Sequence, residues 1–197
     1  MSSPHVVIAA GGSVESAFLP HHLLQLVTDF DVRVTVALSR GAAPFVTRTA
    51  LRAITGARPY RRAVDWDDDE RATPRHLSLS RADLLVLWPA TARIVAACAQ
   101  GLVSCAPTRL FAFTPKPRVV IAPALHPSFE RSIYVPHLKT LESLGCEILG
   151  GDDLHASWHE VRTAIVARLS PTRRTPHPGV QLLDTMHAHA RRRMPPD

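Results

Sequence analysis

The stretch HLSLSRADLLVLWPATARI, residues 76–94, decides the fold of this 197-residue chain. Residues 82–88 form a run that is apolar except for Asp83, which is typical of a parallel strand with both faces buried. Turn residues follow at once, beginning with Pro89. In an open α/β sheet, ligands bind in the crevice outside the carboxyl ends of the strands. The stretch therefore predicts a binding crevice after this strand, with the ionisable His76 delivered to it.

Apolar runs elsewhere in the chain predict that this strand belongs to a doubly wound sheet. Residues 5–10 read HVVIAA and residues 32–38 read VRVTVAL. Each run is followed by apolar residues at helical spacing, over residues 17–27 and 42–54. Two successive strand-helix units favour an α/β fold with a parallel, right-handed wound sheet.

The same alternation continues to about residue 170. The apolar patterns predict further strands at 110–113, 119–122 and 147–149, and helices at 94–100, 134–144 and 153–169. We expect one domain over residues 1–170. The basic tail 171–197 is rich in Pro, Arg and His, and we expect it to be poorly ordered despite a helix-compatible patch at 180–190.

Composition argues against several classes of protein. The net charge is +6, but arginine is spread along the chain without a basic patch interleaved with aromatics, so we expect no nucleic-acid partner. No apolar run approaches the roughly 18 residues of a membrane span. Cys98, Cys105 and Cys146 follow no metal or redox spacing, so a cytoplasmic protein fits best. The acidic run at 65–70 lacks the glycine and the terminal glutamate of a calcium loop, and we expect a solvated loop and no metal.

Gly11-Gly12-Ser13 follows the first predicted strand. Free backbone amides at the start of a helix attract phosphate, and the Ser13 hydroxyl adds a donor. The same residues also serve any tight turn from strand to helix, so both interpretations stay open.

Six short motifs follow one another along residues 5–150. They are Gly12-Ser13-Val14, Ser39 through Phe45-Val46, residues 51–56, His76-Leu77-Ser78-Leu79 with Ala82-Asp83-Leu84, Pro89-Ala90-Thr91-Ala92, and Ala122-Pro123-Ala124. Together they resemble the flavin-containing cysteine decarboxylases. That family includes phosphopantothenoylcysteine decarboxylase of the coenzyme A pathway and the lantibiotic peptidyl-cysteine decarboxylases of the epidermin type.

The resemblance implies a flavodoxin-like three-layer fold that binds FMN. It also implies self-association as trimers, which can associate further into a dodecamer, with the flavin at subunit contacts. Family positions near the phosphate correspond to Gly12, Ser13 and Ser39. Those around the ring system and ribityl chain correspond to Phe45, Pro89, Ala90 and Thr91.

The resemblance also implies a reaction, in which a precursor peptide with a C-terminal cysteine is oxidatively decarboxylated to an aminoenethiol. FMN accepts hydride from the cysteine β-carbon, and a histidine that corresponds to His76 assists thiol deprotonation. An imidazole suits proton transfer near neutral pH. Considered alone, His76 favours a capping imidazole without chemistry, whereas the surrounding motif favours catalysis.

Two departures from the family pattern concern substrate recognition. Arg93-Ile94 replaces Asn-Thr, and Leu125-His126 replaces Met-Asn, whose Asn contacts the substrate carboxylate in the family. Arg93 is a hypothetical substitute because guanidinium binds carboxylate bidentately, and His126 can assist as a donor. The alternative is that both side chains face solvent or a neighbouring subunit.

A third departure separates the branches of the family. Coenzyme A pathway members carry an Ala-Cys-Gly segment whose cysteine helps to reduce the enethiol, whereas residues 150–153 here read GGDD. Cys146 lies before this segment, where a small core residue is the expected role. The pattern favours the peptide-modifying branch, with a coenzyme A pathway enzyme, a flavin prenyltransferase and a catalytically silent flavoprotein subunit as alternatives.

Overall fold

The computed structural model describes residues 3–67 and 73–174. Within them, five parallel strands form one sheet in the order β2-β1-β3-β4-β5. The strands are β1 (His5–Ala10), β2 (Arg33–Leu38), β3 (Leu84–Ala90), β4 (Val119–Pro123) and β5 (Glu147–Ile148). Since β2 and β3 lie on opposite sides of β1, the direction of winding reverses there, which opens a crevice at the carboxyl ends of β1 and β3.

Helices cover both faces of the sheet. In the described residues they are α1 (Leu19–Asp29), α2 (Arg48–Thr55), α3 (Arg75–Leu79), α4 (Ala92–Ala99), α5 (Ala106–Phe113), α6 (Arg131–Ser143) and α7 (Trp158–Leu169). One buried cluster unites α1, α2 and α7 with Val6 and Ile8 of β1. A second unites α3, α4, α5 and α6 with Val7 and Ala9. This three-layer arrangement confirms the predicted α/β, flavodoxin-like fold.

The apolar run that opened the sequence analysis is the central strand β3. Every residue of β3 is buried, because the strand has a neighbour on each side and a helical layer on each face. Trp88 is the largest of these side chains, and its Nε1 donates a hydrogen bond to the carbonyl of Ala156 at 3.1 Å. The run therefore fixes the middle of the sheet and places Thr91 and Arg93 directly beyond it.

Two helix predictions need correction at their amino ends. The helix predicted over 42–54 begins at Arg48, since the Ser39 hydroxyl holds the preceding residues in a turn and Thr47 caps the helix by accepting from the amide of Ala50 at 3.2 Å. It ends at Thr55, and Gly56 caps it in the left-handed conformation with a φ of 70°. The helix predicted from residue 153 begins at Trp158. Ser157 is its amino cap and forms a capping box with Glu160 in the first turn.

The strand predicted at 110–113 is wrong, because these residues form the last turn of α5. A short apolar run fits a buried helix as well as a strand. The start signals decide between them: Cys105 and Thr108 form a capping box, and Pro107 occupies the first turn, where its missing amide costs nothing.

Some predictions fall outside the described residues. These are the acidic residues 68–70 and the tail beyond residue 174, with its helix-compatible patch at 180–190. The last described residue, Arg174, donates its amide to the carbonyl of Asp29 at 2.9 Å and pairs with Asp31 at 2.9 Å. No helix among residues 3–67 and 73–174 is long and apolar enough to cross a bilayer.

Candidate active site

A cleft of about 610 Å³ opens at the carboxyl ends of the strands, and we call it the strand-end cleft. Six of the predicted site residues line it: Gly12, Ser13, Ser39, Thr91, Arg93 and His126. They come from the segments that follow β1, β2, β3 and β4. Residues separated by more than 110 positions are thus brought together by the parallel sheet.

Backbone hydrogen bonds between strand ends hold the floor of the strand-end cleft. The amide of Gly11 donates to the carbonyl of Pro89 at 2.9 Å, and the amide of Ala124 donates to the carbonyl of Ala90 at 3.0 Å. The amide of Ser39 likewise donates to the carbonyl of Ala10 at 3.0 Å. Pro89 and Ala90 are buried beneath the cleft rather than lining it, so their role is to fix the positions of the segments above them.

Close backbone contact makes one end of the cleft suitable for phosphate. A Cβ on Gly12 would lie 2.8 Å from the carbonyl carbon of Gly41, so only glycine fits at Gly12. In the described part of the chain, the amides of Gly12, Arg40 and Gly41 donate no hydrogen bond. The Ser39 hydroxyl accepts from the amide of Ala42 at 3.1 Å, which leaves its proton free to donate. Three free amides and one hydroxyl are donors that suit a dianionic phosphate group.

The Ser13 side chain is less free than the sequence suggests. Its hydroxyl donates to the carboxylate of Glu15, which also lies 3.4 Å from Nε2 of His155. The amide of Ser13 also donates, to the carbonyl of Gly11 at 3.2 Å, so both donors of this residue are engaged within the chain.

Arg93 and His126 form the other rim of the cleft. Both are exposed, and Arg93 has no hydrogen bond or ion pair within the described residues. Nδ1 of His126 accepts from the amide of Ser128 at 3.1 Å, so in the neutral ring Nε2 carries the proton and is a donor. A guanidinium and an imidazole N–H on one rim are suitable partners for a carboxylate.

Phe45 and His76 do not line the strand-end cleft. Phe45 lies in the turn after β2, and 42% of its surface is exposed. His76 lies on α3, where its ring contacts Phe113 of α5 at a centroid distance of 5.0 Å. The expectation that His76 enters the crevice of its own chain is thus not met, because His76 precedes β3 whereas the cleft forms after it.

We call the surface formed by His76, Arg109 and Phe113 the α3–α5 face. His76 is partly exposed, but its Nδ1 is buried and has no hydrogen-bond partner in the described residues. Burial, together with the charge of Arg109, lowers the pKa of His76 below its usual value near 6.5. The imidazole is therefore neutral near pH 7 and able to accept a proton.

Comparison with known proteins identifies the family to which this chain belongs. A family model named Flavoprotein matches residues 1–170. The chain belongs to the Flavoprotein family. The match confirms the flavoprotein prediction, and it covers nearly all of the described residues.

Relatives of this flavoprotein include the coenzyme A biosynthesis bifunctional protein CoaBC of Escherichia coli strain K12, which is 29% identical over 154 residues. That alignment covers 77% of this chain and 37% of CoaBC, so the chain spans just over a third of the length of this relative.

Solved structures show the same fold. A PPC decarboxylase mutant complexed with pantothenoylaminoethenethiol superimposes with a TM-score of 0.71 at 19% identity, covering 84% of this chain and 97% of that one. The FMN-dependent cysteine decarboxylase TvaF from thioviridamide biosynthesis gives a TM-score of 0.70 at 22% identity, covering 85% and 96%.

The flavoprotein's cleft also contains residues to which the sequence analysis assigned no role in the site. They include Arg40, Gly41, Ser104, Cys105, Ala124 and Phe129. Arg40, Gly41 and Ala124 follow strands, and the rule that places ligands at strand ends would have found them. Ser104 and Cys105 precede α5, and no sequence signal marks them as part of the cleft.

Proposed function

We propose that this protein is an FMN-dependent peptidyl-cysteine decarboxylase that converts the C-terminal cysteine of a precursor peptide to an aminoenethiol. The observation that carries this proposal is the strand-end cleft, which is lined both by free backbone donors suited to a phosphate and by the exposed side chains of Arg93 and His126, in a member of the Flavoprotein family. Two solved neighbours, the FMN-dependent cysteine decarboxylase TvaF from thioviridamide biosynthesis and the epidermin biosynthesis protein EpiD from Staphylococcus aureus, support the choice of a cysteine substrate.

In this proposal the phosphate of FMN binds at the amides of Gly12, Arg40 and Gly41, with Ser39 donating its hydroxyl proton. Thr91, at the start of α4, and Phe45, in the exposed turn, lie towards the ribityl chain and ring. When bound, FMN supplies a hydride acceptor for the cysteine β-carbon. The chain itself positions the peptide and moves its protons.

Arg93 and His126 hold the peptide's terminal carboxylate in the proposal. The guanidinium of Arg93 is solvent-exposed and unpaired within the described residues, so it can turn to the peptide without breaking a contact. Charge-assisted hydrogen bonds of this kind are roughly twice as strong as neutral ones. These bonds would select peptides whose terminal cysteine has a free carboxylate.

His76 takes the thiol proton in the proposal, and it does so in the cleft of a neighbouring subunit. Within one chain, α5 separates His76 from the strand-end cleft: Cys105 at its start lines the cleft, and Phe113 at its end contacts His76. Eight residues of helix span about 12 Å. Large apolar side chains are exposed on both surfaces, with Phe113 at 49% and Phe129 at 44%, as expected where copies of the chain meet in a trimer or larger shell.

A coenzyme A pathway decarboxylase is the second candidate, and the identity to CoaBC favours it. Cys146 argues against it. Its side chain is buried, and burial raises its pKa to about 11, so it cannot serve as a thiolate that reduces the product. Residues 150–153 contribute no cysteine.

The test is incubation of the purified holoprotein with three substrates: a Cys-terminal peptide, the same peptide ending in serine, and phosphopantothenoylcysteine. We expect mass loss equal to carbon dioxide and two hydrogens from the Cys-terminal peptide alone. Turnover of phosphopantothenoylcysteine instead would establish the second candidate. Bound FMN with all three substrates unchanged would indicate a silent subunit.

A further inference from the structure

The strand-end cleft is lined by fixed charge of one sign. Among the described residues that line it, Arg40 and Arg93 are the charged side chains, and none is a carboxylate. The carboxylate of Glu15, in the turn after β1, is engaged within the chain, because it accepts from the Ser13 hydroxyl and lies 3.4 Å from Nε2 of His155. A concave surface that carries positive charge and no acidic side chain favours anionic groups.

The order of the strands separates the two guanidinium groups. Arg40 follows β2, whereas Arg93 lies in the first turn of α4, after β3. β1 lies between β2 and β3, and neighbouring strands are about 4.8 Å apart, so the ends of β2 and β3 are roughly 10 Å apart. Arg93 shares its rim with His126, which follows β4, the next strand beyond β3. The two arginines therefore belong to opposite ends of the cleft and suit two different anions.

Arg40 lies at the end of the cleft that suits phosphate. We call the free amides of Gly12, Arg40 and Gly41, together with the Ser39 hydroxyl, the phosphate cradle. Ser39 is fixed by its hydrogen bond to Ala10 at 3.0 Å, and Gly41 packs closely against Gly12. The Arg40 backbone between them is thus held in place, whereas its side chain is exposed and has no hydrogen bond or ion pair within the described residues. A guanidinium whose own amide belongs to the cradle can turn to the same phosphate without breaking a contact.

A phosphate monoester requires more than the neutral donors of the phosphate cradle. Its second pKa is near 6, so it is mostly a dianion at pH 7. Removing such a charge from water is costly unless an opposite charge offsets the loss. In the described part of the chain, Arg40 is the residue at this end of the cleft that supplies a full positive charge. A guanidinium also matches phosphate geometry, since it can donate two parallel N–H bonds to two oxygens.

We infer that the Arg40 guanidinium completes the phosphate cradle and makes the cleft selective for a flavin that carries a phosphate monoester, FMN, over riboflavin, which carries none. This inference rests on the proposed function, which places the FMN phosphate at this end of the cleft. Each arginine of the cleft then has its own anion: Arg40 binds the phosphate of the cofactor, and Arg93 binds the carboxylate of the substrate. Arg40 is a binding residue in this scheme and takes no part in proton transfer.

The experiment compares two flavins that differ in the phosphate alone. The full-length protein, freed of flavin, is titrated with FMN and with riboflavin, and the dissociation constants are measured by flavin fluorescence. We expect Arg40→Gln to weaken FMN binding about fivefold, as is usual for an ion pair at a partly exposed site, and to leave riboflavin binding unchanged. Added salt screens exposed charges, so it should weaken FMN binding less in Arg40→Gln than in the wild-type protein.

Matched variants separate the charge of Arg40 from other effects. Arg40→Lys should keep most of the FMN affinity, because a lysine ammonium also binds phosphate as a point charge. Arg93→Gln removes the same charge from the opposite end of the cleft, and Arg52→Gln removes it from the exposed side of α2. Neither should change the affinity for FMN. The Arg40 side chain is exposed, so its substitution is not expected to prevent folding.

The outcomes distinguish this inference from the proposed function. Equal weakening of FMN and riboflavin by Arg40→Gln, or no change in either, would overturn the role of Arg40 and leave the decarboxylase proposal standing. An equal loss of FMN affinity in Arg93→Gln would assign the effect to the overall charge of the cleft, and a changed oligomeric state in Arg40→Gln would assign the guanidinium to a subunit contact; both results overturn the inference. A wild-type protein that prefers FMN through Arg40 but leaves a Cys-terminal peptide unchanged would support the inference and overturn the proposed function.

Discussion

The strand-end cleft and the α3–α5 face differ in what forms them. The cleft is built from backbone: strand ends joined by hydrogen bonds of 2.9 to 3.0 Å, with Gly12 packed against Gly41. The α3–α5 face is built from side chains, and Nδ1 of His76 has no partner there in the described residues. The first surface is fixed by backbone contacts within one chain, whereas the second depends on the packing of side chains.

This difference suggests a division of labour between the two surfaces. Backbone donors fixed by a sheet are rigid, and rigid donors suit a cofactor phosphate that stays bound. Half-exposed side chains such as His76 and Arg109 can act on a substrate that arrives and leaves. Substitutions that disturb the backbone donors of the cleft should therefore remove the cofactor, and substitutions on the α3–α5 face should spare the cofactor and remove turnover.

The largest effect on FMN binding is expected from Gly12→Ala. The added Cβ would lie 2.8 Å from the backbone of Gly41, and neither segment can move without breaking its hydrogen bonds to the strand ends. We expect FMN affinity to fall about tenfold or more, measured by flavin absorbance of the purified protein and by titration with FMN.

The matched control for Gly12→Ala is Gly56→Ala. At Gly56 the φ is also unfavourable for alanine, at 70°, but nothing lies within 4 Å of the added atom. It should cost about 1–2 kcal/mol of stability and leave FMN bound. Full flavin content in Gly12→Ala would contradict the phosphate assignment.

His76→Asn should retain FMN and lose turnover by about 10²–10⁴-fold, the usual contribution of a general base. Co-expression with Gly12→Ala then tests where the imidazole acts. If His76 serves a neighbouring cleft, mixed oligomers should recover about a quarter of the wild-type rate, since random assembly in a cyclic oligomer pairs an intact cleft with an intact His76 at about one contact in four.

As controls for the co-expression experiment, His76→Asn and Gly12→Ala should each be inactive when expressed alone. No recovery in oligomers shown to contain both chains would place His76 and the cofactor in the same chain, and α5 would then have to move to bring them together. Normal turnover of His76→Asn alone would remove the residue from the chemistry.

The sequence predicted the cleft better than the α3–α5 face, for a physical reason. The resemblance to the flavin-containing cysteine decarboxylases named Gly12, Ser39 and Thr91, and each follows a parallel strand. Parallel strands end at one edge of the sheet, so residues that follow them are expected to lie together there. The partners of His76 depend on how α3 packs on α5, and residues 110–113 of α5 were predicted as a strand. Cys105 and Arg109 were therefore missed, because their significance comes from helix packing rather than from a motif.

Arg93→Gln tests the carboxylate rim and should have a smaller effect than the two variants above. We expect KM for a Cys-terminal peptide to rise about tenfold with FMN retained, as is usual for loss of a hydrogen bond to a charged group. The preference for an alanine-terminal peptide over its C-terminal amide should disappear in the same variant. Arg52→Gln is the control of equal charge change, and an unchanged KM in Arg93→Gln would assign the carboxylate to other groups.

The smallest effect concerns acid stability, which must be separated from the titration of His76 before any pH–rate profile is interpreted. Burial, aided by His21, lowers the pKa of His22 to about 4, and burial also lowers that of His5 to about 4. In the unfolded chain both titrate near 6.5, so the unfolded state binds more protons and the free energy of unfolding falls as the pH drops from 6.5 towards 4. We expect the melting temperature to be a few degrees lower at pH 5 than at pH 7.

His22 stacks on Trp158 at 4.9 Å, and its Nδ1 has no partner within the described residues. His22→Phe should therefore keep the stacking and reduce the acid-induced drop, while leaving the pH dependence of turnover unchanged because His22 lies on α1, away from α3 and α5. A drop of the same size in His22→Phe would mean that the acid sensitivity arises from His5 or elsewhere, and a shifted rate profile would mean that stability had been mistaken for catalysis.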